Sequence, residues 1–246
     1  MRKVLTQVDN VKILLLSIPL SILLAGCDDP APPAAFTPEM AGFSSEFDFD
    51  PLRGPVKEFS QTLLNDKGEI AKRVSASMSK EGCFDVLELH DVEHDSGVAL
   101  ILDANYYLDA QTHEKKVRTQ GKCQLAELPA AGLSWETDER GFITTARGHD
   151  VQIQYQYDSD GYPLGKTSEA KDKRLKDEIK PSADPRKKMN YTAVSLLNDR
   201  PVTRATQSCK YDSHDNPVNC TLQLIDQSAT PAVETQYTIE YKTRYY

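Results

Sequence analysis

The sequence has little of what most functional classes require. Its 246 residues include one tryptophan, twelve glycines and five histidines. It has no G-x-S-x-G elbow, no glycine-rich phosphate loop and no spacing that singles out a Ser/His/Asp set. The legible hydrolase and nucleotide-binding motifs are therefore excluded. Positive charge is scarce: 29 Lys and Arg stand against 37 Asp and Glu, a net charge of −8. That balance argues against nucleic acid and against direct adhesion to anionic lipid, and favours cationic partners at most. Five cysteines occur without one C-x-x-C pair, so the sequence offers no structural zinc site. No apolar run reaches the ~20 residues of a membrane-spanning helix.

What is present begins with the leader. Arg2, Lys3 and Lys12 precede the apolar stretch Ile13–Leu24, which closes on Leu24-Ala25-Gly26-Cys27. That order reads as a secretory signal over residues 1–26, and its ending resembles a bacterial lipobox. In such signals the Cys thiol receives a diacylglycerol, the chain is cut before it, and the new amino terminus is acylated. Initiation at Val11, on a valine codon read as Met, would leave Lys-Ile-Leu-Leu-Leu as a more typical beginning and give the same product. Asp28 and Asp29 follow the Cys, and Asp at that place resembles the signal that retains enterobacterial lipoproteins in the inner membrane. The expected address is the periplasmic face of the inner membrane. Loss of the leader removes three positive charges and one negative, leaving a net −10.

Residues 27–42 read as the lipidated Cys and a proline-rich tether. Asp28–Pro38 carries four prolines and no apolar periodicity, which suits a polyproline-like spacer of about 3.1 Å per residue, roughly 30 Å in all. A single folded domain is expected over residues 43–246. Within it Cys83, Cys123, Cys209 and Cys220 make an even count, which in an oxidising compartment reads as two disulfides with three connectivities. A hairpin centred between His214 and Asp215 sets Cys209 opposite Cys220, where Cα atoms lie about 4.5 Å apart in a non-hydrogen-bonded pair. That preference leaves Cys83 for Cys123.

The domain reads as mainly β. Val56–Leu63, Ile70–Met78, Phe84–Asp91, Val98–Tyr106, Phe142–Thr145, Val151–Tyr157, Thr192–Leu197, Val202–Tyr211, Val218–Ile225 and Thr235–Tyr241 are short runs rich in branched and aromatic residues. Several alternate apolar and polar residues, as in Val151-Gln-Ile-Gln-Tyr-Gln-Tyr157. Turn formers separate them: Asn65–Gly68, Ser79–Gly82, Asp95–Gly97, Asp138–Gly141, Asp158–Gly161 and Ser213–Asn216. The expectation is an antiparallel meander of hairpins forming a curved sheet, sandwich or open barrel, with little helix. Two stretches depart from it. Leu102–Lys116 suggests a strand end and a short helix. Lys166–Lys188 holds fourteen charged residues in twenty-three, so residues 165–189 are expected to be a charged, solvated loop or a surface helix.

Candidate chemistry is sparse. His90-Asp91-Val92-Glu93-His94 matches H-x-x-E-H, which holds zinc when a helix brings both rings to one face. Here it continues a strand, where residues four apart lie about 13 Å from each other, too far to share an ion. Asp158 and Asp160 lack the rest of a calcium loop. Trp135, Tyr106, Tyr107, Tyr241, Tyr245 and Tyr246 are expected to pack in the core or between strands. No metal, cofactor or catalytic residue is therefore expected.

The motifs Phe36-Thr-Pro-Glu-Met40, Glu46-Phe-Asp-Phe-Asp-Pro-Leu-Arg-Gly-Pro-Val56, Glu81-Gly-Cys-Phe-Asp85, Leu102-Asp-Ala-Asn-Tyr-Tyr107, Gly121-Lys-Cys-Gln-Leu-Ala-Glu-Leu-Pro129 and Tyr162-Pro-Leu-Gly-Lys166 resemble the YnfC family of enterobacterial lipoproteins. The resemblance implies a lipid-anchored cell-membrane protein with Cys27 as the N-palmitoyl and S-diacylglycerol site, and it supplies no activity. The expected role is a non-catalytic binding or envelope-assembly module, attached to the membrane by lipid and partnered, if at all, by an envelope protein. The alternative is an inhibitor or immunity-type lipoprotein acting on a cationic envelope enzyme. Replacing both Asp28 and Asp29 by Ser is expected to move the protein to the outer-membrane fraction of a sucrose gradient; unchanged sedimentation contradicts the sorting role.

Overall fold

A computed structural model describes residues 32–246. Residues Pro33–Tyr246 form one compact unit; Cys27, Asp28 and Asp29 lie outside the described residues. One helix, α1 (Pro38–Phe47), precedes sixteen strands: β1 (Val56–Leu64), β2 (Ile70–Met78), β3 (Phe84–Asp91), β4 (Ser96–Asp103), β5 (Tyr106–Asp109), β6 (Lys115–Gln120), β7 (Gln124–Leu128), β8 (Leu133–Thr137), β9 (Ile143–Arg147), β10 (Gln152–Tyr157), β11 (Pro163–Ala170), β12 (Lys173–Pro181), β13 (Tyr191–Leu197), β14 (Arg200–Tyr211), β15 (Pro217–Asp226) and β16 (Val233–Tyr245). Each strand pairs antiparallel with its sequence neighbour, and β1 pairs with β16 from Val56↔Tyr245 to Leu64↔Thr238. The expected meander therefore closes into a barrel and leaves no sheet edge.

The wall alternates in a consistent sense. On β10, Tyr155 is buried between exposed Gln154 and Gln156; on β14, Gln207 is buried between exposed Thr206 and Ser208. On β16, Ile239 and Tyr241 are buried while Glu240 and Lys242 are exposed. Apolar side chains thus face the lumen and polar ones face out, the reverse of an outer-membrane barrel. The wall is a water-facing surface.

Sixteen strands enclose more space than wall side chains fill. The remainder is supplied by the chain ahead of β1. Helix α1 starts on Thr37, whose hydroxyl accepts from Met40 N at 3.2 Å, with Pro38 at the first position; it ends at Asp48 in the left-handed region (φ 55). Residues Glu39–Ser44 of it are all buried. Phe43 meets Phe47, Phe84 and Tyr107 with ring centroids 4.6–5.6 Å apart, and Phe49 packs on Phe59 and Phe84. The helix and residues 48–55 form a plug.

Three features differ from expectation. The tether expected to run to residue 42 is shorter, because Phe36 and Met40 are buried and α1 is part of the fold. The charged stretch 165–189 is mainly the hairpin β11–β12. Most of its charges face outward and several pair there, as Arg174 does with Glu169 and Asp199. Leu175 and Ile179 share the inward parity of the strand, and Lys166 and Asp177 turn to the lumen. Leu102–Lys116 contains no helix. Ala104 at φ 50 turns the chain from β4 into β5, and the Asp109 carboxylate accepts from Gln111 N and Thr112 N in the next turn. Strands β6, β7 and β8 are further additions, each no longer than six residues.

Disulfides join Cys83 to Cys123 and Cys209 to Cys220. The second spans directly opposed residues of β14 and β15; the first ties the β2–β3 turn to the β6–β7 turn.

Removing the Phe43 ring is expected to cost about 3–5 kcal/mol, read from the urea midpoint of Phe43→Ala. A loss below about 1 kcal/mol would place the helix outside the core. Gly161→Ala should also destabilise more than Gly68→Ala. Both glycines have positive φ, but a Cβ at 161 would lie 2.6 Å from the Phe142 ring and one at 68 meets nothing.

Candidate ligand cavity

The plug is held to the wall by polar ties. Glu39 accepts from Gln124 Nε2 at 2.9 Å, and Glu46 accepts from the Tyr155 hydroxyl. Lys166 Nζ donates to the Ser45 carbonyl and Lys72 Nζ to the Asp48 carbonyl, each at 2.7 Å. At one rim Asn216 imitates a strand neighbour. Its Oδ1 accepts from Arg53 N at 2.7 Å and its Nδ2 donates to the Arg53 carbonyl at 2.9 Å. The Arg53 guanidinium, almost wholly buried, lies 4.3 Å from the centre of the Phe36 ring.

The aromatic face of the plug helix packs on the β3–β10 side of the lumen, where Phe43 meets Phe84 and Tyr107. On the other side, between the plug and β11–β16, β1 and β2, a cavity of about 380 Å³ remains. That lies within the ~300–1,000 Å³ range of small-molecule sites. Leu63, Val74, Ile179, Leu222 and Ile239 give it apolar walls. Its opening lies beside Asp48, whose side chain is 98% exposed, and Lys72, close to the β1–β2 turn. Phe36 N bonds to the Asp160 carbonyl in the β10–β11 turn at 2.8 Å. Alternate turns of a meander fall on alternate rims, so the chain enters the barrel at the rim opposite that opening.

Asp50 forms the polar floor. Its peptide group is held by the Gln61 amide: Asp50 N donates to Gln61 Oε1 at 2.9 Å, and Gln61 Nε2 donates back to the Asp50 carbonyl. Its carboxylate Oδ2 accepts from the Tyr241 hydroxyl and from Gln207 Nε2, and Gln207 Oε1 accepts from Tyr191 at 3.2 Å. Among the described residues no hydrogen bond reaches Asp50 Oδ1, and no Lys or Arg lies at ion-pair distance from the carboxylate. Burial pushes this carboxyl above its usual 3.8, against the pull of the Tyr241 and Gln207 hydrogen bonds and of Lys72, and with a push from Asp48. Burial likewise raises the phenols of Tyr162, Tyr191 and Tyr241 well above 10.

The residues singled out by sequence lie mostly elsewhere. His90 is the penultimate residue of β3, and His94 sits in the following turn with Nδ1 at 3.0 Å from Asp91. Asp158 uses Oδ1 for the N–H groups of Asp160 and Tyr162 and Oδ2 for Lys188. Among the described residues no group of three or more His, Cys, Asp or Glu is placed to hold a metal. Trp135 and Tyr107 are buried in the core, Tyr241 is buried behind the floor and donates to Asp50, and Tyr245 bonds Asp212 and Asn216. Tyr106 packs beneath Lys115, and Tyr246 reaches the Met78 carbonyl. Sequence reasoning missed Asp50, Gln61, Gln207 and Tyr191. The one signal was two acidic residues alternating with Phe in Phe47-Asp-Phe-Asp50, a strand-like pattern on a segment that is not a strand.

The fold and cavity define a closed, plugged β-barrel with an apolar lumen and a water-facing wall. The chain belongs to the uncharacterised protein family UPF0257, whose model matches residues 11–246. It is 60% identical over 235 residues to UPF0257 lipoprotein YnfC of Salmonella dublin and 58% identical to the protein of that name from Salmonella typhi. Each alignment covers 96% of this chain and 99% of the relative. A solved porin-like protein from Bacteroides uniformis aligns with 77% of this chain and 96% of its own at 9% identity and a TM-score of 0.45, too distant a likeness to carry a functional reading.

The raised Asp50 carboxyl has a measurable sign. The native state holds its proton more tightly than the unfolded chain, so stability tied to this group is complete below the unfolded value and falls as pH rises through the folded one. Asp50→Asn lacks that loss. Its stability relative to the wild type should improve as pH rises above about 4, read from urea midpoints; a constant gap, or one moving toward the wild type, contradicts the assignment.

Proposed function

We propose that this protein is a non-catalytic lipoprotein, anchored through Cys27 at the periplasmic face of the inner membrane, whose barrel carries a small amphipathic molecule in its lumen. The observation that carries the reading is the cavity. A wide barrel has been plugged on one side and left open on the other, with apolar walls and a floor of Asp50, Gln207 and Tyr191. Well-formed apolar pockets with a few convergent polar groups are the usual geometry of small-ligand sites.

The anchor and the sorting residues support the address. A diacylglycerol with an N-acyl chain gives stable attachment where a single chain holds only marginally. The relatives from Salmonella are named lipoproteins, and Asp28 and Asp29 follow Cys27. The buried Phe36 leaves eight residues between it and Cys27, a reach of at most about 30 Å. On this reading the tethered rim faces the bilayer and the cavity opens on the far side, toward the periplasm.

Native mass spectrometry of the intact lipidated chain, released from lipid nanodiscs, tests the proposal. Ala205 lines the cavity, and Ala205→Trp should fill it. The expected result is a small molecule bound at about one per wild-type chain and absent from the variant. Equal recovery from both chains, or none from either, overturns the reading.

A further inference from the structure

We infer that the cavity selects amphiphiles whose polar end is a primary ammonium group, held at Asp50. The inference rests on the cavity being a ligand site and adds the chemistry of the ligand's head.

Asp50 carries it. One carboxylate oxygen is occupied by Tyr241 and Gln207; the other has no donor among the described residues. Although the residue lies deep in the lumen it keeps some accessible surface, because its remaining face looks into the cavity. A buried carboxylate without a counter-ion is costly, and a cation placed against it recovers much of that cost. An ammonium group also supplies three donors to a site rich in acceptors: Asp50 Oδ1, the phenol oxygen of Tyr191, and Gln207 Oε1.

The surrounding charges point the same way. Asp48, Asp50 and Asp177 line the cavity against Lys72 and Lys166. Both lysines are drawn to the end of the plug helix, Lys72 to the Asp48 carbonyl and Lys166 to the Ser45 carbonyl. Helix α1 delivers its C-terminal end here, with the partial negative charge of that terminus. A carboxylate or phosphate head would meet this field with the wrong sign. An alkyl body has Leu63, Val74, Ile179, Leu222 and Ile239 to lie against.

The test offers the lipidated chain an equimolar mixture of dodecylamine, dodecanol and dodecanoic acid near neutral pH, with bound masses read by native mass spectrometry. The amine should exceed the acid by at least about tenfold and exceed the alcohol as well. Asp50→Asn should bring the amine down to the level of the alcohol, and Ala205→Trp should abolish all three. Acid binding equal to or above amine binding in the wild type overturns the inference whether or not the Asn variant folds. So does an amine preference that survives Asp50→Asn. Alcohol bound without any amine preference removes this inference alone. Binding of none of the three removes the cavity reading with it.

Discussion

The structure depends on a width constraint. Sixteen strands closed into a ring leave a lumen that wall side chains cannot fill, and in barrels of that size the remainder is ordinarily water. Here the wall is apolar on its inner face, and an apolar lumen filled with water would expose the surface that folding must bury. The chain ahead of β1 resolves this by entering the barrel. Phe43, Phe49 and Leu52 become core residues, buried among the inward side chains of the wall. The barrel and its plug therefore cannot be considered apart, since neither has a complete hydrophobic core alone.

A plug inside an apolar lumen carries peptide groups that need partners. Gln61 completes the peptide of Asp50, and Asn216 completes both backbone groups of Arg53. Lys72 and Lys166 take carbonyls at the helix end. Inward-facing polar residues on otherwise apolar strand faces are thus explained by the plug they hold. Asp50 belongs to this set and exceeds it. Its backbone is a strut and one carboxylate oxygen is tied to the wall, while the other oxygen turns to the space the plug leaves empty.

Much of the fold was legible because local rules held. Ile70–Met78 and Phe84–Asp91 are strands with the bounds their alternation implies. The turns at Asn65, Asp138, Asp158 and Asp212 are built alike, with the side-chain oxygen accepting N–H groups two and four residues on. The pairing of Cys209 with Cys220 follows from one such turn. What was not legible depended on long-range burial. The sequence Thr37-Pro38-Glu39-Met40 is a good helix start, but its proximity to the proline-rich stretch masked it. The charges of β12 hid Leu175 and Ile179, four residues apart with Asp177 between them on the same face. The cavity floor was invisible because Asp50, Gln207 and Tyr191 are distant in sequence, and only barrel closure and the returning plug bring them together. H-x-x-E-H marks the opposite case, a local pattern whose helical context is missing: His90 lies on a strand and His94 in a turn.

The central claim is that the open side of the lumen holds a ligand, and the most direct measurement is a photolabelling map. A long-chain alkylamine carrying a diazirine in mid-chain, incubated with the lipidated protein, irradiated and mapped by peptide mass spectrometry, reports where the chain lies. The account predicts adducts on the inward-facing residues around Leu63, Val74, Ala193, Leu222 and Ile239, protected by an unlabelled amine. Adducts spread over outward residues such as Gln154, Thr206 and Glu240, without protection, would contradict it.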